Sequence, residues 1–290
     1  VHPRARFYRL DIRDRAALDA LFEREDIEGV LHFAAFSQVG ESMSKPLKYY
    51  GNNLGGTMTL LESMVAHGVG NIVFSSTAAV YGEPERVPIL ESDPTVPTNC
   101  YGQTKLAMEQ MMAWVARAHG LRYTALRYFN ASGADPSGEI GEAHDPETHL
   151  IPLFCRSRWG SARTSPSSAA TTRRRTAPAC ATTSTSPTWP TPTSPPSSTS
   201  TVTSASTTPS RRHRRRHLRA PDRRRSQEGH RSAVHRAVMA RRAGDPPHLI
   251  GSPKRINEEM GWHAKYDVED IVKSAWDAWQ ANPEHHIDVD

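Results

Sequence analysis

Tyr101 and Lys105 are well spaced in this chain for proton-transfer chemistry. They lie four positions apart in YGQTK, so on a helix they share one face and the ammonium can approach the phenol oxygen. A nearby positive charge favours the phenolate and lowers the pKa of the tyrosine, which makes a base that works near neutral pH. Thr77 follows the apolar stretch NIVFSS and offers a hydroxyl to the same substrate oxygen. The pattern predicts acid–base catalysis, although a Tyr–Lys pair at this spacing is common by chance.

The elements that must position these residues alternate between strands and helices. The predicted strands are ARFYRLDI, GVLHFAA, NIVFSS and RYTALRYF. The predicted helices are RAALDALFERE, NLGGTMTLLESMVAHG, LAMEQMMAWVARAHG and DVEDIVKSAWDAWQANP. Gly68 and Gly120 close two of these helices, and Asp267 caps the last one. Repeated strand–helix units predict an α/β fold with a doubly wound parallel sheet.

Several motifs stand in a fixed order around these residues. FSSTAAVYG is followed by YGQTK and RYFNASG, and the pattern extends through LHFAAFSQVGES, YYGNN, HLIP, RRAGDPP and GWHAKYDVEDIVKSAWDAW. This arrangement, over roughly residues 1–158 and 238–284, resembles the extended short-chain dehydrogenase/reductase family, which includes the NAD-dependent epimerases and dehydratases. The resemblance implies that residues 1–150 form a Rossmann-like NAD-binding domain with the catalytic residues. Residues 151–290 would form a smaller substrate domain.

The resemblance also implies roles for individual residues. Tyr101 would be the catalytic base, Lys105 its partner and Thr77 the hydroxyl that completes the triad. The residues that would bind NAD are Asp11, Ile12, Phe33, Ala34, Ala35, Asn52, Tyr101, Lys105 and Phe129. The residues that would bind the nucleotide sugar are Thr77, Asn130, Leu150, Arg242 and Leu249. Arg242 would hold the diphosphate through its guanidinium.

The reaction implied by the resemblance is an NAD-dependent epimerisation of a UDP-sugar at C4. Tyr101 would take the proton of the 4-hydroxyl while NAD accepts the 4-hydrogen as hydride, and the 4-keto sugar would rotate before it is reduced on its other face. Other epimerases and dehydratases of the family are alternatives, but Ala78 and Ala79 stand where a dehydratase would carry an acidic pair. A non-catalytic remnant with a basic interaction segment is the alternative from another class. A homodimer is also implied, because the helices around YGQTK often pair in this family.

The charge of the chain is concentrated in one segment. Residues 156–242 carry 19 arginines against two acidic residues, so their net charge is about +17, and the remaining residues carry about −12. Between Ser161 and Arg236 there is no Ile, Phe, Tyr, Met, Lys or Asn. Because this segment has so little apolar surface, residues from about 160 to 237 are expected to be aberrant and disordered. A linker, or a nucleic-acid patch at 211–219, is an alternative, but we expect no nucleic-acid partner.

A shifted reading frame is the explanation that the composition of this segment favours. The six missing residue types use A/T-rich codons, as expected for G/C-rich DNA read out of frame. Read one base earlier, residues 180–190 permit R-D-Y-I-H-V-x-D-L-A, which resembles the family motif expected after HLIP. We therefore expect a frameshift near residue 160, restored by about residue 237.

The remaining features concern the cellular compartment of the protein and how much of the family fold the chain contains. Cys100, Cys155 and Cys180 have no metal-ligand spacing, which predicts no metal site and a reducing, cytoplasmic compartment. The chain contains no run of 18 apolar residues, so no membrane span is predicted. Nothing before Asp11 matches the family's Gly-rich pyrophosphate turn. The first βαβ unit is therefore expected to precede Val1, and the chain to be an inactive fragment.

Overall fold

A computed structural model describes part of the chain. The described residues are 4–137, 140–142, 144, 149–159, 165–167, 201–205, 236–238 and 249–281. Arg242 and most of the arginine-rich segment lie outside them, so the predicted disorder and the role of Arg242 stay predictions. None of the described helices is long and apolar enough to cross a membrane.

Strands and helices alternate along the first half of the chain. The helices are α1 (Arg15–Arg24), α2 (Val39–Ser44), α3 (Pro46–Tyr49), α4 (Gly56–Ala66), α5 (Cys100–His119), α6 (Leu150–Trp159), α7 (Lys254–Met260) and α8 (Val268–Ala281). A π-helical turn (Tyr50–Gly55) precedes α4, and a 3-10 turn (Ala78–Tyr81) follows the second strand. The strands are β1 (Val30–His32), β2 (Asn71–Thr77), β3 (Arg122–Tyr128), β4 (Ser165–Ser167), β5 (Thr201–Ala205) and β6 (Arg236–Val238).

The main sheet is parallel and has the strand order β1-β2-β3-β5. The two short strands β4 and β6 form a separate parallel pair. Parallel strands joined by helical crossovers confirm the predicted α/β class. Among the described strands of the main sheet the order follows the chain, so the reversal that a doubly wound sheet requires stays a prediction.

The predicted strand ARFYRLDI is wrong, because these residues have no regular structure. None of the described strands lies beside them to complete a hydrogen-bonded ladder. Side-chain contacts hold the segment instead: Arg6 Nη1 donates to Glu25 Oε2 over 2.6 Å, and the hydroxyl of Tyr8 donates to the same carboxylate. The segment is thus attached to the end of α1 rather than to the sheet.

The sheet buries side chains on both faces. Ile72, Phe74, Tyr123 and Ala125 pack in one cluster with residues of α1, α4 and α5. On the other face, Leu126 packs against Ile256 of α7 and Trp262. This arrangement fixes the carboxyl ends of β2 and β3 relative to the start of α5.

The predicted helix ends are confirmed where the structure describes them. Gly120 ends α5 in the left-handed conformation with φ 71° and donates its N–H to Ala116 O, and Gly68 has φ 70°. Asp267 accepts hydrogen bonds from the N–H groups of Glu269 and Asp270, as expected for the N-cap of α8.

Gly82, directly after the 3-10 turn, is expected to be essential for stability. Its φ is 63°, and an added Cβ would lie 1.9 Å from the carbonyl oxygen of Val96. We expect Gly82→Ala to lower the free energy of unfolding by about 2–4 kcal/mol, measured by urea denaturation. Gly70→Ala is the matched control, because a Cβ there meets no atom within 4 Å. Equal stability of the two variants would contradict the expectation.

Candidate active site

The structure brings Thr77, Tyr101 and Lys105 together. Thr77 is the last residue of β2, whereas Tyr101 and Lys105 lie on successive turns of α5. The Thr77 hydroxyl accepts a hydrogen bond from the N–H of Ala79 over 3.2 Å and lies close enough to the Tyr101 phenol to lower its pKa. The predicted triad is therefore assembled at the carboxyl end of β2, where parallel α/β sheets commonly place their sites.

Local contacts fix the first turn of α5. The side chain of Asn99 caps the helix by accepting a hydrogen bond from the N–H of Gly102 over 2.8 Å. The N–H of Tyr101 donates to the hydroxyl of Ser42 over 3.1 Å, which ties this turn to α2. An added Cβ on Gly102 would lie 2.6 Å from the carbonyl oxygen of Ala79. Only glycine lets α5 approach the turn after Thr77 this closely.

Lys105 is buried between α5 and the sheet, with 2% of its surface exposed. Its Nζ donates to the carbonyl oxygen of Ser75 over 2.8 Å and lies 4.8 Å from the ring centroid of Phe74. The distance from Nζ to the ring centroid of Tyr101 is 5.9 Å. Burial lowers the pKa of Lys105 to about 7, and the charge of Glu109 opposes that shift.

The pKa of Tyr101 differs from the value expected from the sequence. Burial raises it to about 12, and the hydrogen bond with Thr77 lowers it only in part. The expectation that Lys105 makes this phenol unusually acidic is therefore wrong for this structure. The reason is that the Lys105 ammonium is directed at the Ser75 carbonyl, while the phenol has lost solvation.

An open cleft of about 580 Å³ lies where β1 ends. This volume is within the range typical of cofactor sites. The residues that line the cleft are Arg9, Leu10, Asp11, Ile12, Ala34, Ala35, Phe36 and Asn52. Five of the residues predicted to contact NAD are among them, and Phe33, the neighbour of Ala34, is 53% exposed. The small side chains of Ala34 and Ala35 leave the strand end accessible.

The predicted NAD-site residues differ in how they are held. Asp11 is exposed and forms an ion pair with Arg13 over 2.6 Å. The hydrogen bonds from Arg13 lower the pKa of Asp11 to about 2. Asn52 donates from its side chain to the side-chain oxygen of Asn53 over 3.0 Å.

Asn53 is a buried residue that the sequence reasoning missed. Its Oδ1 accepts from the N–H of Phe36 over 2.8 Å, and its Nδ2 donates to the Phe36 carbonyl over 3.0 Å and to Thr104 Oγ1 over 3.3 Å. Asn53 thereby connects the loop after β1 to α5. The pair of asparagines in YYGNN is the sequence signal that indicates this residue. The sequence reasoning also missed Glu109 and Arg127, which form a buried ion pair of 2.6 Å behind Lys105.

The predicted sugar-site residues lie in several places. Phe129, which is predicted to line the NAD site, is buried with the 3-10 turn, and Leu249 of the predicted sugar site packs against the same cluster. Asn130 is exposed, and Leu150 begins α6 with 47% of its surface exposed. Leu249 is therefore close to the end of β3, whereas the substrate contacts of Asn130, Leu150 and Leu249 stay predictions.

One group of potential metal ligands is present among the described residues. The ligand atoms of Glu142, His144 and His149 lie within 4.8 Å of one another. All three residues lie at the protein surface, where such groups are common without an ion. The grouping lies outside the triad, and we assign no metal to it.

Comparison with known proteins gives consistent results. Residues 1–158 match the family model described as the NAD dependent epimerase/dehydratase family. The chain is 43% identical over 293 residues to a UDP-glucose 4-epimerase of Lacticaseibacillus casei, covering 98% of this chain and 86% of the relative. It also resembles a crystal structure of UDP-glucose 4-epimerase with a TM-score of 0.79 and 34% identity, covering 98% of this chain and 87% of the other. UDP-glucose 4-epimerase from Brucella ovis in complex with NAD gives a TM-score of 0.73 and 36% identity, covering 93% and 83%.

Proposed function

The chain belongs to the NAD-dependent epimerase/dehydratase family, and on that premise we propose for it the interconversion of UDP-glucose and UDP-galactose with NAD as cofactor. The expectation that the chain is an inactive fragment stays a prediction, which the assay described below also tests. The observation that carries the proposal is the joint position of Thr77, Tyr101 and Lys105 at the end of β2. The names of the compared relatives support the same substrate pair. The reaction would belong to galactose metabolism.

The residues of the cleft would hold the cofactor. Asp11, Ile12, Ala34, Ala35 and Asn52 line it. NAD would supply the acceptor for the hydrogen on the sugar C4 and return it to either face. The side chains of the protein would position the sugar and transfer its proton.

Tyr101 would move the proton of the 4-hydroxyl. In the direction of oxidation its phenolate oxygen accepts this proton, and in the direction of reduction the phenol returns it. Thr77 would hold the same sugar oxygen by a hydrogen bond, since its hydroxyl lies near the phenol. The Lys105 ammonium would stabilise the phenolate electrostatically. Both interactions would act against the burial that raises the pKa of Tyr101.

The direct test is the interconversion itself. The purified protein is incubated with UDP-galactose, and the formation of UDP-glucose is followed by a coupled dehydrogenase assay or by ion-exchange chromatography. Mass spectrometry of the denatured protein's supernatant identifies any NAD that co-purifies. Formation of a dehydrated 4-keto sugar in place of UDP-glucose would support the dehydratase alternative instead. No conversion of the UDP-sugar by an NAD-loaded protein would contradict the proposal.

Leu249 is proposed to determine which UDP-sugars are accepted. By the family resemblance, a small side chain at this position leaves room beside the substituent at C2 of the sugar. We expect the enzyme to accept UDP-N-acetylglucosamine and Leu249→Tyr to lower kcat/KM for that sugar at least about 10-fold more than for UDP-glucose. Both values come from initial rates, with Leu249→Met as the matched control. Equal loss on the two sugars would show that Leu249 does not discriminate between them.

A further inference from the structure

A buried polar network lies behind the catalytic turn of α5. The carboxylate of Glu109 accepts two hydrogen bonds from Arg127, from Nε over 3.0 Å and from Nη2 over 2.6 Å. It also accepts a hydrogen bond from Ser76 Oγ over 2.5 Å. Glu109 and Arg127 are each only 5% exposed. Such a bidentate pair fixes the orientation of both side chains.

The network joins the elements that carry the triad. Ser76 and Arg127 are partners in the register of β2 and β3, so both reach the same face of α5. The remaining arm of the guanidinium, Nη1, donates to the hydroxyl of Tyr81 over 2.9 Å, and Tyr81 ends the turn that follows Thr77. Glu109 lies one helical turn beyond Lys105 on α5, so the two side chains occupy the same buried face.

The charges around Lys105 show that Glu109 favours the protonated form of this lysine. The titratable or charged groups whose charges or hydrogen bonds are coupled to Lys105, Tyr101 or Arg127 include His32, Tyr49, Tyr81 and Glu109. Burial lowers the pKa of His32 to about 4, so it is neutral near pH 7. Burial raises the pKa of Tyr49 above its ordinary value and that of Tyr101 to about 12, so both phenols are protonated. Among these described groups, Glu109 is therefore the anion that favours the charged form of Lys105.

We propose that Glu109, held by Arg127 and Ser76, is a positioning residue that keeps Lys105 protonated beside Tyr101. The inference rests on the proposed function, because Lys105 needs its charge only if Tyr101 is the base. Lys105 lies near the point where it would lose its proton at working pH, since burial lowers its pKa to about 7. Loss of the Glu109 charge would leave the buried Arg127 uncompensated and would release the proton from Lys105.

The first measurement follows the protonation of Lys105 without using turnover. The chain has six lysines, so ¹³C-labelled lysine gives few signals, and the one absent from Lys105→Met belongs to Lys105. In the NAD-loaded protein, Glu109→Gln is expected to move the titration of the Lys105 Cε signal to lower pH by about 1–2 units. An unchanged titration would overturn the proposal even if the enzyme is active. If the wild type does not interconvert UDP-sugars, the proposed function fails, but this measurement still tests the network.

The second measurement is the pH profile of kcat. Glu109→Gln is expected to move the alkaline limb to lower pH by a similar amount and to lower kcat at pH 8 about 10–100-fold, with KM changed less than about 2-fold. The matched control is Glu62→Gln, because Glu62 forms a surface ion pair with Arg15 on α1 and should leave the profile unchanged. A profile that is lowered without a shift would show a structural role and overturn the proposal.

A double variant separates charge from packing. Glu109→Gln combined with Arg127→Met removes both buried charges, so no ion is left uncompensated, and the test stays possible if the single variant does not fold. We expect the Lys105 titration of the double variant to lie between those of the wild type and Glu109→Gln. A titration at or above that of the wild type, or below that of the single variant, would contradict an effect exerted through charge.

Discussion

Replacing Tyr101 with phenylalanine is expected to lower kcat about 10²–10⁴-fold. The variant keeps the aromatic ring in the first turn of α5 and removes only the oxygen that exchanges the proton of the sugar. No neighbouring group replaces it, because the Thr77 hydroxyl is not basic near neutral pH and the Lys105 ammonium points at the Ser75 carbonyl. The measurement is the initial rate of UDP-galactose conversion at saturating substrate, together with the NAD content of the protein.

The expected loss should be confined to the chemical step. The hydrogen bonds that tie Tyr101 to its neighbours within the described residues involve its backbone, so the variant should retain NAD and unfold at a similar urea concentration. Tyr123→Phe is a suitable control, since Tyr123 lies at the opposite end of the sheet from Thr77. Turnover of Tyr101→Phe within about 5-fold of the wild type would refute the role of the phenol as the base.

The elements that carry the triad could be predicted because their signals are local. The β2 strand is an apolar run that ends in polar residues, and Gly120 closes α5. The helix predicted from the sequence begins at Leu106, whereas α5 already begins at Cys100. The spacing of Tyr101 and Lys105 then places both on one buried face. The prediction for ARFYRLDI was wrong because a strand depends on a neighbouring strand, which a local pattern does not contain.

The properties of the site that depend on distant partners could not be predicted. Asn53 bonds to Thr104, which is 51 positions away, and Arg127 bonds to Tyr81, which is 46 positions away. Nothing in the residue types at these positions specifies such partners. The pKa of Tyr101 was misjudged for the same reason, since the spacing to Lys105 describes one neighbouring charge but not the burial of the phenol.

The buried charge of Lys105 is expected to favour catalysis but to destabilise the folded protein. We expect Lys105→Met to lower kcat about 10²–10³-fold, because methionine keeps an apolar side chain against Phe74 but removes the charge that stabilises the phenolate. The same variant should be more stable than the wild type at pH 6. Loss of activity with a gain of stability is the expected signature of a charge retained for function.

The direction of the pH dependence follows from the pKa of Lys105, which burial lowers from 10.5 to about 7 in the folded protein. Below pH 7 the lysine is protonated in both the folded and the unfolded state, so the wild type bears the full cost of a buried charge. Between pH 7 and 10.5 the unfolded state binds more protons than the folded state, so the stability of the wild type rises with pH. The advantage of Lys105→Met should therefore be largest at pH 6 and should vanish above about pH 10.5.

We expect the gain at pH 6 to be about 1–3 kcal/mol, less than the pKa shift alone implies, because the Ser75 carbonyl loses its donor in the variant. Urea denaturation at pH 6 and pH 9.5, without added NAD, measures the difference between the two proteins. Lys273→Met is the control, since Lys273 is exposed on α8 and pairs with Asp277 at the surface, where such pairs contribute little. If Lys105→Met is instead less stable than the wild type at pH 6, the ammonium holds the fold together through Ser75 and Glu109. The low activity of the variant would then reflect a disturbed site rather than the loss of a charge beside Tyr101.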